Sequence, residues 1–269
     1  MFEFLYYMSN RELLFSLILI FVPISIFFVA LVKYVLPVRL RYRDNPVIGN
    51  ISAIIGIIYG VLAGLTALYL INNISYTADA VQSEANAIAN IYRDSLLIAE
   101  PTQTEIKIEI KNYLKKVVEI EWPLLQVGKA LDGEGENIIK KMSKTIYDYN
   151  KTSPADSMIS TDMLQEVKTL YNSREQRIHM SFSQLNSEIW IVILIGTILT
   201  LAVNFMFRMD FTLHIISVSA VAIMAAAMIF LLITLDRPFQ GEFVVDPGAF
   251  QALGKLIEKD QTEAISIGR

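Results

Sequence analysis

Four long apolar stretches constrain the fold of this chain more than any other feature. Each has about 19 to 25 residues, which is enough for a helix to cross roughly 30 Å of hydrocarbon. Lys33 is the only charged residue in them, and the mean hydropathy of the whole chain is +0.45. The sequence therefore predicts an all-α membrane protein with four transmembrane helices, at Leu13–Leu36, Val47–Ile71, Ile189–Phe207 and Thr212–Leu235.

The composition excludes several classes of functional site. Because the sequence contains no cysteine, the chain has no disulfide, thiolate nucleophile or cysteine-ligated metal. A net charge of −4 gives no basic excess for nucleic acid, and His179 and His214 are too far apart in sequence to suggest a metal pair. Phosphate-loop, metalloprotease and serine-hydrolase motifs are also missing from the sequence. We therefore expect no enzyme activity, no metal, no cofactor and no nucleic-acid partner.

The spans follow one another as two hairpins. The first hairpin occupies residues 1–71 and turns at Pro37–Pro46, where two prolines and several charges stop both helices. Residues 72–188 are predicted to form a helical extramembrane domain, residues 189–235 a second hairpin, and residues 236–269 a C-terminal tail. No small-residue cleavage pattern follows the first apolar run, so we expect a retained span and not a signal peptide.

Four crossings place both chain ends and the middle domain on one side of the membrane. Arg39, Arg41 and Arg43 lie in the first short turn and Arg208 in the second. Since basic residues concentrate in cytoplasmic loops, these turns favour a helical domain outside the cell. The family resemblance described below implies the opposite orientation, with the helical domain in the cytoplasm. The sequence leaves both orientations open.

The middle domain is predicted to be helical throughout, because its apolar residues recur close to every 3.6 positions. No Gly or Pro interrupts the chain between the second span and Ala99, so that span should continue into the domain as one long helix. Further helices are predicted at 103–131, at 137–149, and from about 154 to 185, with the last running directly into the third span. A short amphipathic helix is predicted in the tail, at 247–258.

The second span carries two rows of residues at four-residue intervals. One row consists of the small residues Gly56, Gly60 and Gly64. The other, on another side of the helix, consists of Ile57, Val61 and Leu65. The glycine row predicts close helix packing. In a symmetric ring of such helices, the apolar row would form three layers of side chains around the axis, which is how a hydrophobic constriction gates ions.

Five motifs are similar, in content and order, to the bestrophin-like domain family of bacteria. They are Gly56–Gly64 (GIIYGVLAG), Glu84–Arg93 (EANAIANIYR), Glu121–Pro123 (EWP), the pair Arg174 and Arg177, and Leu235–Gly241 (LDRPFQG). The resemblance covers nearly the whole chain and has the same two-plus-two layout of spans. Two features depart from true bestrophins: the second span ends in Tyr69–Tyr76 (YLINNISY) instead of an Arg-Trp-Trp motif, and no acidic calcium clasp is recognisable.

The resemblance implies a homo-oligomeric ion channel of the bacterial inner membrane. More specifically, it implies a pentamer that conducts anions. The apolar row Ile57, Val61 and Leu65 would then be the neck of the pore, and the helical domain would lie in the cytoplasm. The partners implied are the lipid bilayer, other copies of the chain and small inorganic ions. The alternative is a non-conducting membrane scaffold or sensor whose helical domain binds a partner or lipid.

The remaining motifs predict structural roles outside the spans. An ion-pair network between helices is expected from five charged residues: Glu84, Arg93, Glu121, Arg174 and Arg177. An anchor for the tail is expected where the fourth span ends, at Asp236, Arg237, Pro238 and Phe239. Arg237 there could reach the lipid headgroups while Phe239 holds the tail.

Overall fold

The computed structural model describes residues 8–34, 41–149, 154–241 and 245–267. In these ranges every regular element is helical. The helices are α1 (Asn10–Tyr34), α2 (Asn45–Ser95), α3 (Thr102–Lys116), α4 (Trp122–Gln126), α5 (Glu134–Tyr149), α6 (Pro154–Ser181), α7 (Ser187–Phe205), α8 (Phe211–Leu235) and α9 (Gly248–Ile267). A 3-10 turn at Tyr42–Asp44 precedes α2, and a π-helical segment at Val117–Glu121 joins α3 to α4.

Four helices are long and apolar enough to cross a membrane, and they are the four predicted from the sequence. They are α1, the first part of α2, α7 and α8. The prediction of an all-α fold with four spans is therefore confirmed. The predicted end of the first span at Leu36 and the start of the turn at 37–40 lie outside the described residues.

Helix α2 is unusually long because nothing in its sequence stops it. Its 51 residues run without interruption from the second span into the middle domain, a length of about 75 Å at 1.5 Å per residue. Pro46 lies at its first turn, where a missing N–H costs nothing. The predicted extension of the second span is confirmed, although the helix ends at Ser95 and not at Ala99.

The predicted continuity of the last domain helix with the third span is wrong. Helix α6 ends at Ser181, and α7 begins only at Ser187 after an irregular segment. Asn186 has an extended backbone with φ −58° and ψ 144°, which interrupts the helix. The backbone N–H of Leu185 donates instead to Oδ1 of Asp236 at 2.7 Å. A tertiary hydrogen bond therefore replaces the helical one at this position.

The helix predicted at 103–131 is shorter and contains an irregularity. The N–H of Trp122 donates to the carbonyl of Val117, which is the i−5 bond of a π turn. Pro123 follows directly and has no N–H for the regular ladder, so the ladder is already disturbed at this point. Gly128 adopts φ 67°, a left-handed conformation that favours glycine and ends the helical path after Gln126.

The chain divides into two compact units. One unit combines α1, α2 up to Asn72, α7 and α8, while the other combines α2 from Asn73 with α3 to α6 and α9. In the first unit, α1 packs mainly against α8, from the far end of the sequence. Asn45 and Arg208 exchange two hydrogen bonds of 2.7 and 2.9 Å, which hold the two short turns together. The predicted arrangement of the four spans as two hairpins, each packed within itself, stays a prediction.

The core of the second unit is apolar and formed mainly by α2, α3, α5 and α6. Ile88, Ile110, Met142 and Leu170 are fully buried in it. The tail helix α9 packs against α3 and the π-helical segment, and its Phe250 is 1% exposed. The tail helix is longer than predicted, since it reaches Ile267 and not Glu258.

Candidate pore-lining row and buried ion-pair cluster

The apolar row of α2 is open along its whole length. Ile57, Val61 and Leu65 are 67%, 56% and 60% exposed in the single chain. All three lie in the part of α2 that is apolar enough to span the membrane. Within the described ranges, no other segment covers them as core residues are covered, so they are available to lipid, to water or to other copies.

A different face of α2 packs on the other spans. The ring of Tyr59 lies over Gly196 of α7, where an added Cβ would come within 2.6 Å of Cδ2 of the ring. The Tyr59 hydroxyl lies 3.0 Å from Oγ1 of Thr197, in hydrogen-bond contact. Nearer the turn, Nδ2 of Asn204 donates to Oγ of Ser52 at 3.2 Å. These contacts fix which face of α2 is turned toward its own chain.

The apolar row lies opposite that packed face. Ala63 is fully buried on the packed face, and Val61 lies two residues away, which is about 160° around a helix. Ile57 and Leu65 follow Val61 at four-residue intervals and so lie on the same side. The row that the sequence predicted as a constriction therefore lies on an exposed face of the span in α2, together with Ile54 and Ile58, which are 59% and 56% exposed.

No residue that the structure describes packs against the glycine row from another helix. A Cβ added at Gly56, Gly60 or Gly64 would meet nothing within 4 Å outside the helix itself. Among the described residues, a close approach between helices is seen at Gly196, and close packing at the glycine row stays a prediction. The row lies about 100° from the apolar row, since the two are offset by one residue. It forms an open flank beside that row.

The exposed face of α2 changes character beyond the span. At seven-residue intervals after Leu65 come exposed polar residues: Asn72, Asp79, Asn86 and Arg93. Because seven residues are almost two full turns, these side chains continue the line of the apolar row. One face of a single helix therefore passes from apolar side chains in the span to amides and charges in the second unit.

Four of the five predicted network residues meet in the core of the second unit. Glu84, Glu121 and Arg177 are fully buried, and Arg174 is nearly so. Arg177 donates to both oxygens of Glu84, at 2.7 and 3.0 Å, and to Oε2 of Glu121 at 2.8 Å. Arg174 donates to Oε1 of Glu121. We call these four residues the ion-pair cluster, which joins α2, the π-helical segment and α6.

Tyr113 adds a further hydrogen bond to this cluster. Its hydroxyl donates to Oε1 of Glu84 at 2.6 Å. Burial and the nearby carboxylate of Glu84 raise the pKa of Tyr113 well above its usual value, so the phenol stays protonated. Burial acts against the charge of Arg177, but the carboxylates of Glu84 and Glu121 more than offset it and raise the pKa of the guanidinium. The cluster is therefore held with its charges paired.

Arg93 lies apart from the cluster. Its guanidinium donates to the side chain of Asn90, one turn earlier on the exposed part of α2. The helical spacing explains the separation, because Glu84 lies on the buried face of α2 and Arg93 on the exposed face.

The residues after the fourth span are largely buried. Asp236 is 3% exposed and accepts the Leu185 N–H described above, and the ring of Phe239 is 1% exposed. The rings of Phe239 and Trp122 meet edge to face, with centroids 5.1 Å apart. Pro238 is also buried, whereas Arg237 is half-buried.

Two further residues lie close to the cluster, and one of them, Gly135, carried no signal in the sequence. A Cβ added at Gly135 would collide with Oε1 of Glu121 and come within 2.6 Å of Nη2 of Arg174. Trp122 places its ring 5.7 Å from the guanidinium carbon of Arg177. A glycine in a flexible-looking acidic loop gives no sign of such a contact.

The described part of the chain holds no group of three or more His, Asp or Glu residues placed to bind a metal ion. His214 instead lies 3.0 Å from the backbone oxygen of Asn204, a contact between ring nitrogen and carbonyl inside the first unit.

A family model for the bestrophin-like domain matches residues 19–250. The chain belongs to the bestrophin-like domain family. Together with the four apolar helices, this membership makes the chain an integral membrane protein. The resemblance that the sequence motifs indicated is confirmed.

Solved structures share the fold. Two mutant forms of a bacterial bestrophin homolog from Klebsiella pneumoniae match with TM-scores of 0.67 and 0.68, at 13% and 12% identity. The matches cover 91% of this chain and 96% and 98% of those chains. A crystal structure described as a membrane protein matches with a TM-score of 0.66 at 11% identity. The comparison with curated proteins finds no match.

Proposed function

We propose that this bestrophin-like protein is a homo-oligomeric ion channel that conducts anions and has its constriction at Ile57, Val61 and Leu65. The observation that carries the proposal is the direction of the apolar row, which lies opposite the face of α2 that packs on its own chain. Family membership supports the same function.

A ring of α2 helices accounts for both rows of the second span. In such a ring, each helix needs one face toward the axis and two flanks toward its neighbours. The apolar row forms the face toward the axis. The glycine row, about 100° away, forms a flank where a neighbouring helix can approach closely. Polar residues along the same face then line a wider, hydrated path beyond the constriction. We propose a pentamer by analogy with bestrophin channels.

The constriction works by excluding water. Three layers of apolar side chains give an ion no replacement for its hydration shell, so conduction depends on how wide the layers open. Anion preference is proposed from the family relation, since the constriction itself carries no charge. In the rival hypothesis of a scaffold, the row would be covered by lipid or a partner and no axial path would exist.

Ion flux through liposomes tests the proposal. Wild type should pass chloride faster than potassium, and a variant with Ile57, Val61 and Leu65 all changed to Ala should pass ions faster than wild type. A matched control changes Ile191, Ile195 and Ile198 of α7 to Ala, since these residues are similarly spaced and 55%, 51% and 63% exposed. The control should behave as wild type. Absence of flux from well-folded oligomers of all three proteins would favour the scaffold.

The orientation in the membrane has its own test. A Lys129→Cys variant places a thiol on an exposed residue of the second unit, and the wild type has none to interfere. Labelling of intact cells by an impermeant thiol reagent would place the helical domain outside, as the basic turns favour. Labelling only after lysis would place it in the cytoplasm, as the family resemblance implies.

A further inference from the structure

A groove of about 320 Å³ lies in the second unit between α3 and the tail helix α9. This volume is at the lower end of the range found for small-molecule sites. The apolar floor is formed by Leu114, Val118, Phe250 and Ile257. A Cβ added at Gly254, which lies in the same groove, would meet nothing within 4 Å. The missing side chain at Gly254 therefore leaves the groove open.

The rim of the groove carries more positive than negative charge. Lys111, Lys115 and Lys255 border it, against Glu119 and Glu258. Lys115 has one exposed ion pair with Glu119 at 3.9 Å. In the part of the chain that the structure describes, Lys111 and Lys255 form no ion pair. Two lysine ammonium groups, one from each helix, are therefore free to bind an anion above an apolar floor.

Lys111 and Lys115 also form a like-charge pair at i, i+4 on α3. Such a pair destabilises an isolated helix by about 0.2–0.5 kcal/mol. An anion bound between α3 and α9 would remove this repulsion and join the two helices.

We propose that this groove binds an amphipathic monocarboxylate, such as a medium-chain fatty acid. The carboxylate would accept hydrogen bonds from Lys111 and Lys255, and the hydrocarbon chain would lie on the floor beside Gly254. Charge complementarity selects an anion, and the apolar floor selects a ligand with a hydrocarbon part. The inference concerns the second unit alone and does not depend on ion conduction.

The floor of the groove touches the ion-pair cluster through one ring. Phe250 meets Trp122 edge to face with centroids 6.0 Å apart, and the guanidinium carbon of Arg177 lies 5.9 Å from the Phe250 ring centroid. A ligand on Phe250 is thus one side chain away from the residue that joins α2 to α6. Occupancy of the groove should stabilise the second unit.

Calorimetric titration of octanoate into the full-length protein in lipid nanodiscs tests the site, with empty nanodiscs subtracted. Octanamide, which has the same chain length and no charge, is the matched ligand. Wild type should bind octanoate saturably and about tenfold more tightly than octanamide, since a charge-assisted hydrogen bond is lost with the amide.

Two variants separate the apolar and charged parts of the site. Gly254→Leu fills the groove and should reduce binding of both ligands at least about tenfold. The double variant Lys111→Gln and Lys255→Gln should weaken octanoate about tenfold and leave octanamide unchanged. Lys144→Gln, which removes a lysine outside the groove, is the control and should bind as wild type.

Equal binding of the two ligands by wild type would overturn the proposal, because it would show that the charge of the carboxylate contributes nothing to binding. Unchanged octanoate affinity in the lysine double variant would also overturn the proposal. This test does not depend on whether Gly254→Leu folds.

Discussion

The two halves of α2 use one continuous helix in opposite ways. In the span, the side chains opposite the packed face are apolar and open, and a Cβ added at the glycines beside them would meet none of the described residues of another helix within 4 Å. In the second unit, the buried face of the same helix holds Glu84 in contact with Arg177 and Tyr113, with no exposed surface on the carboxylate. One half leaves its apolar face open, and the other encloses the charged group on its packed face.

This contrast separates residues that hold the subunit together from residues that are available to an assembly. A buried charge deprived of its partner destabilises the fold strongly, because the charge that is left cannot reach water. An exposed apolar residue in a span can be replaced at little cost to the subunit. Substitutions should therefore act on stability in the enclosed half and on assembly or conduction in the open half.

The largest effect is expected for Arg177→Met. Glu84 and Glu121 would keep their burial and lose their main partner, so the free energy of unfolding should fall by about 3–5 kcal/mol. Denaturant unfolding in detergent, followed by circular dichroism, measures the loss. Arg93→Met serves as the control, because its partner lies on the exposed side of α2, and it should stay within about 0.5 kcal/mol of wild type. Equal effects of the two changes would show that the enclosed half is not held by its charges.

Tyr113→Phe should cost about 1.5–3 kcal/mol at neutral pH, since it removes a hydrogen bond to a charged group. The pKa of Tyr113 is raised by burial, so the contribution of its phenol is fully present below the unfolded pKa of about 10 and is lost as pH rises further. The difference in stability between wild type and variant should therefore shrink above about pH 10. Thermal unfolding of both proteins from pH 8 to 11 measures it. A constant difference would contradict the assignment.

Glycines in the two halves should respond differently to alanine. Gly135→Ala forces a methyl group against Glu121 and Arg174, which should cost about 1–3 kcal/mol by overpacking. Gly60→Ala adds a methyl group in open space and should leave the subunit as stable or slightly more stable, because alanine favours a helix. Melting temperatures of both variants test the stability.

Mass measurement of the detergent-solubilised assemblies extends this test. If the glycine row lies between copies, Gly60→Ala should weaken the oligomer while the folded subunit persists. An unchanged oligomer would place the contact between copies elsewhere.

The smallest effect on stability is expected for Val61→Ala. The side chain is more than half exposed, so the free energy of unfolding should change by about 0.5 kcal/mol or less. The rate of ion flux should nonetheless rise, because one of the three apolar layers becomes smaller. Measuring stability and flux on the same preparation sharpens the comparison. A large loss of stability without a change in flux would assign Val61 to the core of the subunit.

The spans and most domain helices could be predicted because their signals are local. Apolar runs of membrane length and a 3.6-residue period depend only on neighbours along the chain. The break at 182–186 could not be predicted, because the residue that accepts the N–H of Leu185 is Asp236, about fifty positions away. The π turn before Pro123 was not predicted either, since the sequence analysis placed one helix over 103–131.

The candidate site shows the same division. Spacing in the second span picked out the apolar row, and the motifs shared with the family picked out the four charged residues that meet in the cluster. Buried charged residues need such partners. The sequence analysis wrongly placed Arg93 in the cluster. It also did not indicate the contacts that Gly135 and the phenol of Tyr113 make with the cluster. Each of these depends on which helix packs against which, and no local pattern records that.

The sequence by itself determined that this chain is an all-α membrane protein with four spans, since an apolar run of about 20 residues crosses hydrocarbon as a helix that satisfies its own backbone hydrogen bonds. It also determined that α2 leaves the membrane without a break, since nothing in its sequence stops the helix. Only the tertiary structure decided which face of α2 stays open and which carboxylate meets which guanidinium. Those outcomes depend on packing between distant segments, where a rotation of one residue moves a side chain by about 100° around its helix.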